Sequence, residues 1–183
     1  MIDREPLPPL AAENHVCGAC VLSYADTTVE HAAEVIATLP YAVRDAVSII
    51  PQEACGVRPS PNTWSVTEYV CHLRDVYITY TIRLHRTRIE DRPSLEPMYS
   101  DLRARRFRYN ERDLDAVIDE LQAAALGFCD EIARVDPHGW ERTATRLPGE
   151  QRSARWLVRQ ALHEGVHHLA DIRGVGAQAA SAE

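Results

Sequence analysis

Apolar residues recur every three or four positions in four long segments of the chain, which is the pattern of helices with one buried face. The first segment begins after Thr28 and carries its apolar stripe to Ile50. Pro40 lies inside it and is expected to kink this helix or split it in two. The stripe consists of Val29, Ala33, Ile36, Leu39, Val43, Val47 and Ile50.

The second segment has a helix start that can be read from two residues. Ser65 is followed three positions later by Glu68, which is the spacing of a capping box. The helix is predicted to run to about Glu90, because Pro93 cannot continue it. Its buried positions are predicted to be Val66, Val70, Leu73, Tyr77, Tyr80 and Leu84.

Two further helices are predicted in the second half of the chain. Asp113 can cap the third helix, and Ser153 can cap the fourth, which Gly174 is expected to stop. Pro148 and Gly149 lie between them and are suited to reversing a short ribbon. The apolar stripe of the third helix consists of Leu114, Ile118, Leu121, Ala125, Phe128, Ile132 and Val135.

Four amphipathic stripes without a convincing run of strands predict an all-α fold, because each stripe can be buried only against its neighbours. The chain has 183 residues, 45% of them apolar, which suits one domain. Residues 1–26 are interrupted by prolines and are predicted to form an irregular arm packed on the bundle. Residues 27–175 are assigned to the bundle and residues 176–183 to a disordered tail.

Charge and hydropathy restrict the partners. The chain has 20 Lys and Arg against 27 Asp and Glu, a net charge of -7, which argues against nucleic acid as the main partner. No stretch approaches the roughly 18 apolar residues of a membrane span, so no membrane partner and a cytoplasmic location are expected. The basic stretch from Arg103 to Arg108 is interpreted as a solvated face, with contact to phosphate or a carboxylated substrate as the alternative.

The five cysteines do not suggest a secreted disulfide framework, because their number is odd. Cys55, Cys71 and Cys129 lie far apart and are expected to be reduced and partly buried. Cys17 and Cys20 form a lone CxxC pair. This spacing suits either a redox dithiol or one half of a zinc site.

Histidines and acids are concentrated in the last helix. His163, Glu164, His167 and His168 lie within six positions, and residues four apart share a helix face. Helical phase places Glu164 and His168 beside the apolar stripe, whereas His163 and His167 point away from it. Asp171 follows on the same edge as Glu164 and His168, where it can accept a hydrogen bond from the second ring N–H of a ligand histidine or act as an acid or base.

His72 supplies a third candidate ligand from the second helix. Alone, His72 would be read as a core histidine and Glu164 as a surface charge, but with His168 they make a plausible set of three metal ligands on two facing helices. Three protein ligands leave a coordination position open, as in catalytic zinc sites. Asp75, one turn after His72, is a second candidate for proton transfer beside Asp171.

Two stretches of the chain resemble the signature segments of the DinB-like helical bundles. These are WSVTEYVCHLRDV at 64–76 and ALHEGVHHLADI at 161–172, and the likeness extends over residues 27–175. The superfamily includes metal-dependent thiol S-transferases and the mycothiol-dependent maleylpyruvate isomerase. The resemblance implies an antiparallel four-helix bundle of the up-down-down-up type.

The same resemblance implies which residues bind a divalent metal, with zinc as the first expectation and nickel as the alternative. The matching positions are His72, Glu164 and His168, and the glutamate is similar to that of the isomerase branch. It therefore implies a transferase or isomerase that activates a low-molecular-weight thiol, such as mycothiol, to attack a small-molecule substrate. The alternatives are a hydrolase on the same site and a non-catalytic metal-binding or redox-responsive module, which could be a homodimer.

The arm sequence HVCGACVLSY resembles the CxxCGF-type opening of a subset of these proteins. This resemblance suggests a use for the outward-facing histidines. Cys17 and Cys20 together with His163 and His167 would make a second, Cys2His2 zinc site. The alternatives are an exposed CxxC with solvated histidines, and redox chemistry at the two cysteines.

Overall fold

The computed structural model describes residues 9–147 and 149–180, with side chains up to residue 178. In chain order the described elements are α1 (Val29–Ser48), α2 (Gln52–Cys55), α3 (Val66–Ile89), α4 (Ser100–Arg106), a 3-10 turn (Tyr109–Glu111), α5 (Leu114–Ala133), a second 3-10 turn (Gly139–Glu141), β1 (Thr143–Thr145), β2 (Gln151–Ser153) and α6 (Ala154–Ala180). The four long helices make the bundle, and the two strands form an antiparallel ribbon.

The bundle has a cyclic order that differs from the order along the chain. Helices α1 and α3 each pack against both α5 and α6. Helices α1 and α3 therefore lie at opposite corners, and α6 lies directly beside α3. The predicted all-α four-helix bundle is confirmed, and none of its described helices is long and apolar enough to cross a bilayer.

The predicted helix starts are confirmed by their caps. Thr28, Asp113 and Ser153 each accept a hydrogen bond through the side chain from a backbone N–H in the first turn of the helix that follows. Ser65 and Glu68 form a complete capping box at the start of α3. Short polar side chains fix these ends because they satisfy backbone N–H groups that have no partner within the helix.

The structure differs from two predictions about where helices are interrupted or end. Pro40 lies inside a single helix and does not divide it. Gly174 does not stop α6, which continues to Ala180, so the tail predicted to be disordered is helical over residues 176–180. Gly176 faces Ile50 of the α1 terminus so closely that an added Cβ would lie 2.5 Å from the Ile50 Cδ1 atom. Packing against α1 therefore outweighs the low helix propensity of glycine.

The ribbon between α5 and α6 follows the prediction where it is described. Residues 143–145 pair with residues 151–153, and Gly149 has a φ of 84°, which suits a tight turn. Pro148, the other residue assigned to the reversal, lies outside the described residues.

The described part of the arm, residues 9–26, lies against this ribbon and the start of α6. The Arg152 guanidinium donates to the carbonyl oxygens of Ala11 (2.6 Å) and Leu10 (2.9 Å). The Glu13 carboxylate accepts hydrogen bonds from the Ser153 backbone N–H (2.6 Å) and hydroxyl (2.9 Å). Tyr24 is fully buried in the core. The arm is thus held by polar contacts at one end and by an aromatic anchor at the other.

Gly165 allows α6 to approach α1 and α3 closely beside the candidate metal ligand Glu164. An added Cβ would collide with the Tyr77 hydroxyl and would lie 2.9 Å from Leu39 Cδ2. We expect Gly165→Ala to lower the free energy of unfolding by about 1–2 kcal/mol, because overpacking exceeds the gain in helix propensity.

Gly127 in α5 is the matched control, since nothing lies within 4 Å of its hypothetical Cβ. Gly127→Ala should stabilise the protein by up to about 1 kcal/mol. Urea unfolding of both variants measures the two effects. Equal stabilisation by both substitutions would show that α6 is not packed as closely as described.

Candidate metal centre

Helices α3 and α6 bring three candidate ligands together. The ligand atoms of His72, Glu164 and His168 all lie within 4.8 Å of one another. The Nε2 atoms of His72 and His168 each lie 3.3 Å from Glu164 Oε2. Bond lengths near 2.0–2.2 Å to a tetrahedral zinc ion imply ligand-to-ligand distances of about 3.4 Å. The two measured distances therefore fit ligands that share one ion.

The hydrogen bonds behind these ligands orient their lone pairs. His168 Nδ1 lies 2.8 Å from Asp171 Oδ2, so it carries the ring proton and leaves Nε2 available to a metal. Gln160 Nε2 donates to Glu164 Oε1 at 2.7 Å, which leaves the Oε2 atom facing the two imidazoles. Asp171, predicted to support a ligand or to handle protons, thus holds the ring of His168.

The neighbouring charges favour a cation at this site. Burial raises the pKa of Glu164, but hydrogen bonds from His168 and His72 outweigh this and hold the pKa well below its usual value. Burial lowers the pKa of His168, but the Asp171 and Glu164 carboxylates outweigh this and raise it to about 9. A divalent metal would take the place of the proton that His168 otherwise carries.

The three candidate ligands line a cavity of about 890 Å³. Its other walls come from the arm (Pro9, Leu10, Ala11), from the segment after α3, and from three arginines. Arg105 is the member of the basic stretch 103–108 that reaches this cavity, and Arg83 and Arg146 complete the three. A site at the edge of a cavity can receive a small molecule as well as an ion.

Arg83 was missed by the sequence analysis. Its side chain is buried and its guanidinium lies over the Tyr80 ring, 4.8 Å from the centroid. One terminal nitrogen donates to the Glu96 carbonyl, whereas Nε is buried without a hydrogen-bond partner among the described residues. The signal was an arginine inside the buried stripe of α3, beside Leu84. Such an arginine is a candidate anchor for an anionic group.

The structure places Asp75, predicted as a second acid or base, in a network of hydrogen bonds. Its carboxylate accepts hydrogen bonds from the Tyr109 hydroxyl, from Arg103 Nε (2.8 Å) and from Arg74 Nε (2.9 Å). It is buried and is not part of the described cavity lining. Burial raises its pKa, but these three donors outweigh burial and lower it. The carboxylate therefore links α3 to α4 and to the following 3-10 turn, because its donors come from these three elements.

A second group of candidate ligands lies where the arm meets α6. The ligand atoms of Cys17, Cys20, His163 and His167 all lie within 4.8 Å of one another. Cys17 Sγ is 3.6 Å from His167 Nδ1. The backbone N–H of Cys20 lowers the pKa of the Cys17 thiol to about 5, more than burial raises it. The structure thus brings together the four residues that the sequence nominated for a second site.

The cysteines carry free thiols throughout the described residues. Cys55 and Cys71 are buried and Cys129 is half-buried, as expected for thiols outside any metal or disulfide framework. Cys129 donates to the Ala33 carbonyl and Cys55 to the Pro51 carbonyl, both at 3.5 Å.

The fold and the three facing ligands define a four-helix bundle with a candidate divalent-metal centre between two helices. The family model of the DinB superfamily matches residues 38–172, and the chain belongs to this superfamily. No curated protein matches the sequence significantly.

Among solved structures, the chain is similar to YfiT from Bacillus subtilis, described as a probable metal-dependent hydrolase with an unusual four-helix bundle topology. The TM-score is 0.76 at 15% sequence identity, over 82% of this chain and 86% of YfiT. At this identity the similarity establishes the fold.

Proposed function

We propose that the protein is a divalent-metal-dependent transferase or isomerase that uses a low-molecular-weight thiol. The observation that carries the proposal is the set of three ligands, His72, Glu164 and His168, at the edge of a large cavity. A divalent ion held by three protein ligands retains an open position, where it lowers the pKa of a bound thiol or water.

The charges of the ligands favour an anion in the open position. Glu164 contributes one negative charge and the two imidazoles are neutral when they bind a metal, so a divalent ion is only partly neutralised. His72 is buried and Trp64 packs edge-on against its ring at a centroid distance of 5.1 Å, which limits the access of water on that side. A thiolate placed here would be stabilised by the remaining positive charge.

The size and lining of the cavity favour two organic reactants. Its volume of about 890 Å³ lies near the upper end of the roughly 300–1,000 Å³ that is usual for ligand sites. Arg83 and Arg105 line it and are suited to binding a carboxylate of the thiol or of its electrophilic partner. A cavity of this size has room for a thiol and a small electrophile together.

The residues behind the metal ligands would position them. Asp171 holds the His168 ring, and Gln160 holds the Glu164 carboxylate. Both residues contact the ligand side chains and not the open coordination position, so they are expected to set ligand geometry and metal affinity.

The test is a reconstitution assay with metal and thiol varied independently. Metal-depleted protein is loaded with zinc or nickel and mixed with mycothiol, or another small thiol, and a carboxylated electrophile. We expect thiol-dependent conversion with the loaded protein and none with the metal-depleted protein. Conversion that proceeds equally without thiol would overturn the proposal.

Hydrolysis is the second candidate, because the structurally similar YfiT is described as a probable metal-dependent hydrolase. The same open position would then hold water. Metal-dependent cleavage of an ester or amide in the absence of any thiol would favour this candidate over the transferase.

A further inference from the structure

We propose that Cys17, Cys20, His163 and His167 form a structural zinc site that fastens the N-terminal arm to α6. This site is separate from the centre at His72 and does not depend on the proposed function. Four protein ligands fill the coordination shell of zinc, as in structural sites, whereas the centre at His72 keeps a position open.

The geometry of the four ligands fits zinc. Their ligand atoms all lie within 4.8 Å of one another, and Cys17 Sγ is 3.6 Å from His167 Nδ1. Bond lengths of about 2.3 Å to sulfur and 2.0–2.1 Å to nitrogen imply a distance of about 3.6 Å between such ligands around a tetrahedral ion. Two thiolates neutralise the divalent ion, which favours a site that is partly buried.

A chain of hydrogen bonds fixes the tautomer of His163. Gln160 turns its amide nitrogen to Glu164 (2.7 Å), so its oxygen accepts the hydroxyl proton of Tyr24 (2.7 Å). This proton stays on the hydroxyl at neutral pH, since the ordinary pKa of a phenol is about 10. The Tyr24 oxygen, 3.1 Å from His163 Nδ1, is then left to accept the ring proton of that atom.

His163 Nε2 is therefore an unprotonated nitrogen, and it is buried without a hydrogen-bond partner among the described residues. An unsatisfied lone pair in a buried position is destabilising, and a zinc ion would satisfy it. This buried nitrogen without a partner is the observation that points most directly to a bound ion.

His167 is oriented in a complementary way. Its Nε2 atom lies 3.7 Å from Asp171 Oδ2, which favours the proton on that side of the ring. Nδ1, which faces Cys17, then carries the lone pair. Asp171 also orients His168, so one carboxylate supports a histidine of each centre.

The backbone between the cysteines forms a tight loop. The Cys17 N–H donates to Leu22 O at 3.0 Å, and the Val21 N–H donates to Cys17 O at 2.9 Å. Val21 has a φ of 55°, which is a strained conformation for a β-branched residue. A metal bound by Cys17 and Cys20 would offset that strain.

The site would also shape the cavity of the other centre. The arm residues Pro9, Leu10 and Ala11 line that cavity, and the loop at Cys17 follows them in the chain. Fixing this loop on α6 shortens the free length of the arm and keeps its residues in the cavity wall. The zinc site would thus order one wall of the substrate cavity without taking part in the reaction.

Cobalt substitution tests the proposal with a readout other than activity. Protein loaded with cobalt(II) under reducing conditions should show the thiolate-to-cobalt charge-transfer absorption of a site with two sulfur ligands. Cys17→Ser/Cys20→Ser should abolish this absorption and lose about one zinc ion per chain by inductively coupled plasma mass spectrometry. Limited proteolysis should then cleave the arm faster than in the wild type.

The matched control is Cys55→Ser/Cys129→Ser, which removes two thiols whose only described hydrogen bonds are to carbonyl oxygens. It should keep the absorption and the zinc. If Cys17→Ser/Cys20→Ser does not fold, zinc X-ray absorption of the wild type without added thiol provides the decision, because the ligand set at the arm contains two cysteines and the set His72, Glu164 and His168 contains none. Absence of sulfur ligands there, or absorption that survives in the Cys17 and Cys20 variant, would overturn the proposal.

Discussion

Replacement of His72 by alanine is expected to release the metal from the centre between α3 and α6 while helix content stays unchanged. His72 is the ligand that α3 contributes, so its loss leaves only Glu164 and His168 on one helix. Loss of a hydrogen-bond partner behind a ligand already costs about 10–100-fold in metal affinity, so loss of the ligand itself should cost more. Elemental analysis after dialysis should show about one ion fewer per chain, and circular dichroism should match the wild type.

The thiolate-to-cobalt absorption distinguishes loss of this metal from loss at the proposed arm site. His72→Ala should keep the absorption, whereas Cys17→Ser/Cys20→Ser should lose it. His31→Ala serves as the control, since His31 is exposed on α1 and belongs to neither set of candidate ligands. The effect of Asp171→Asn should lie between those of His72→Ala and His31→Ala, with metal affinity lowered about 10–100-fold. Unchanged metal content in His72→Ala would rule out the centre between α3 and α6.

Local sequence signals determined where the helices begin and which faces they bury. Each long helix starts at a residue whose side chain can accept a backbone N–H, and such caps depend only on neighbours three residues away. The same local periodicity separated two pairs of candidate ligands on α6. Glu164 and His168 turn towards α3, while His163 and His167 turn towards the arm. Helical phase sufficed here because α6 is regular through both pairs.

Features that depend on contacts distant in the sequence could not be read from it. Gly174 predicts a helix end, yet the helix continues to Ala180, and Gly176 packs on Ile50, which is distant in the sequence. Arg83 reads as a polar position within an apolar stripe, and only its neighbours in space make it part of a cavity wall. The contact of the arm with the ribbon depends on Arg152 with Ala11 and on Glu13 with Ser153, and no local pattern predicts contacts between residues so distant in the sequence.

Asp75 is the residue whose role differs most between sequence and structure, because its position one turn from His72 suggested chemistry. Its contacts instead bring together Arg74 on α3, Arg103 on α4 and Tyr109 in the following 3-10 turn. Arg74 also donates to Glu120 of α5 at 2.7 Å, so the network extends across the bundle. These contacts predict that Asp75 maintains the fold and is not required for metal binding.

Asp75→Ala is therefore expected to lower the free energy of unfolding by about 3 kcal/mol at neutral pH, because it leaves two guanidinium groups without their buried counterion. The corresponding fall in melting temperature is on the order of 6–12 °C. Asp119→Asn is the control, since its ion pair with Arg44 at 2.6 Å is largely exposed and should contribute less than about 1 kcal/mol. Metal content should match the wild type in both variants.

The dependence on pH gives a further check on the same residue. The folded-state pKa of Asp75 is lowered, because Tyr109 and the two arginines outweigh burial. Its contribution to stability is therefore fully present above the unfolded-state value of about 3.9 and is lost as the pH falls through the lower folded-state pKa. The difference in unfolding free energy between wild type and Asp75→Ala should thus be constant near neutral pH and should shrink below about pH 4. A variant that kept full stability and metal but lost turnover would instead restore Asp75 as an acid or base.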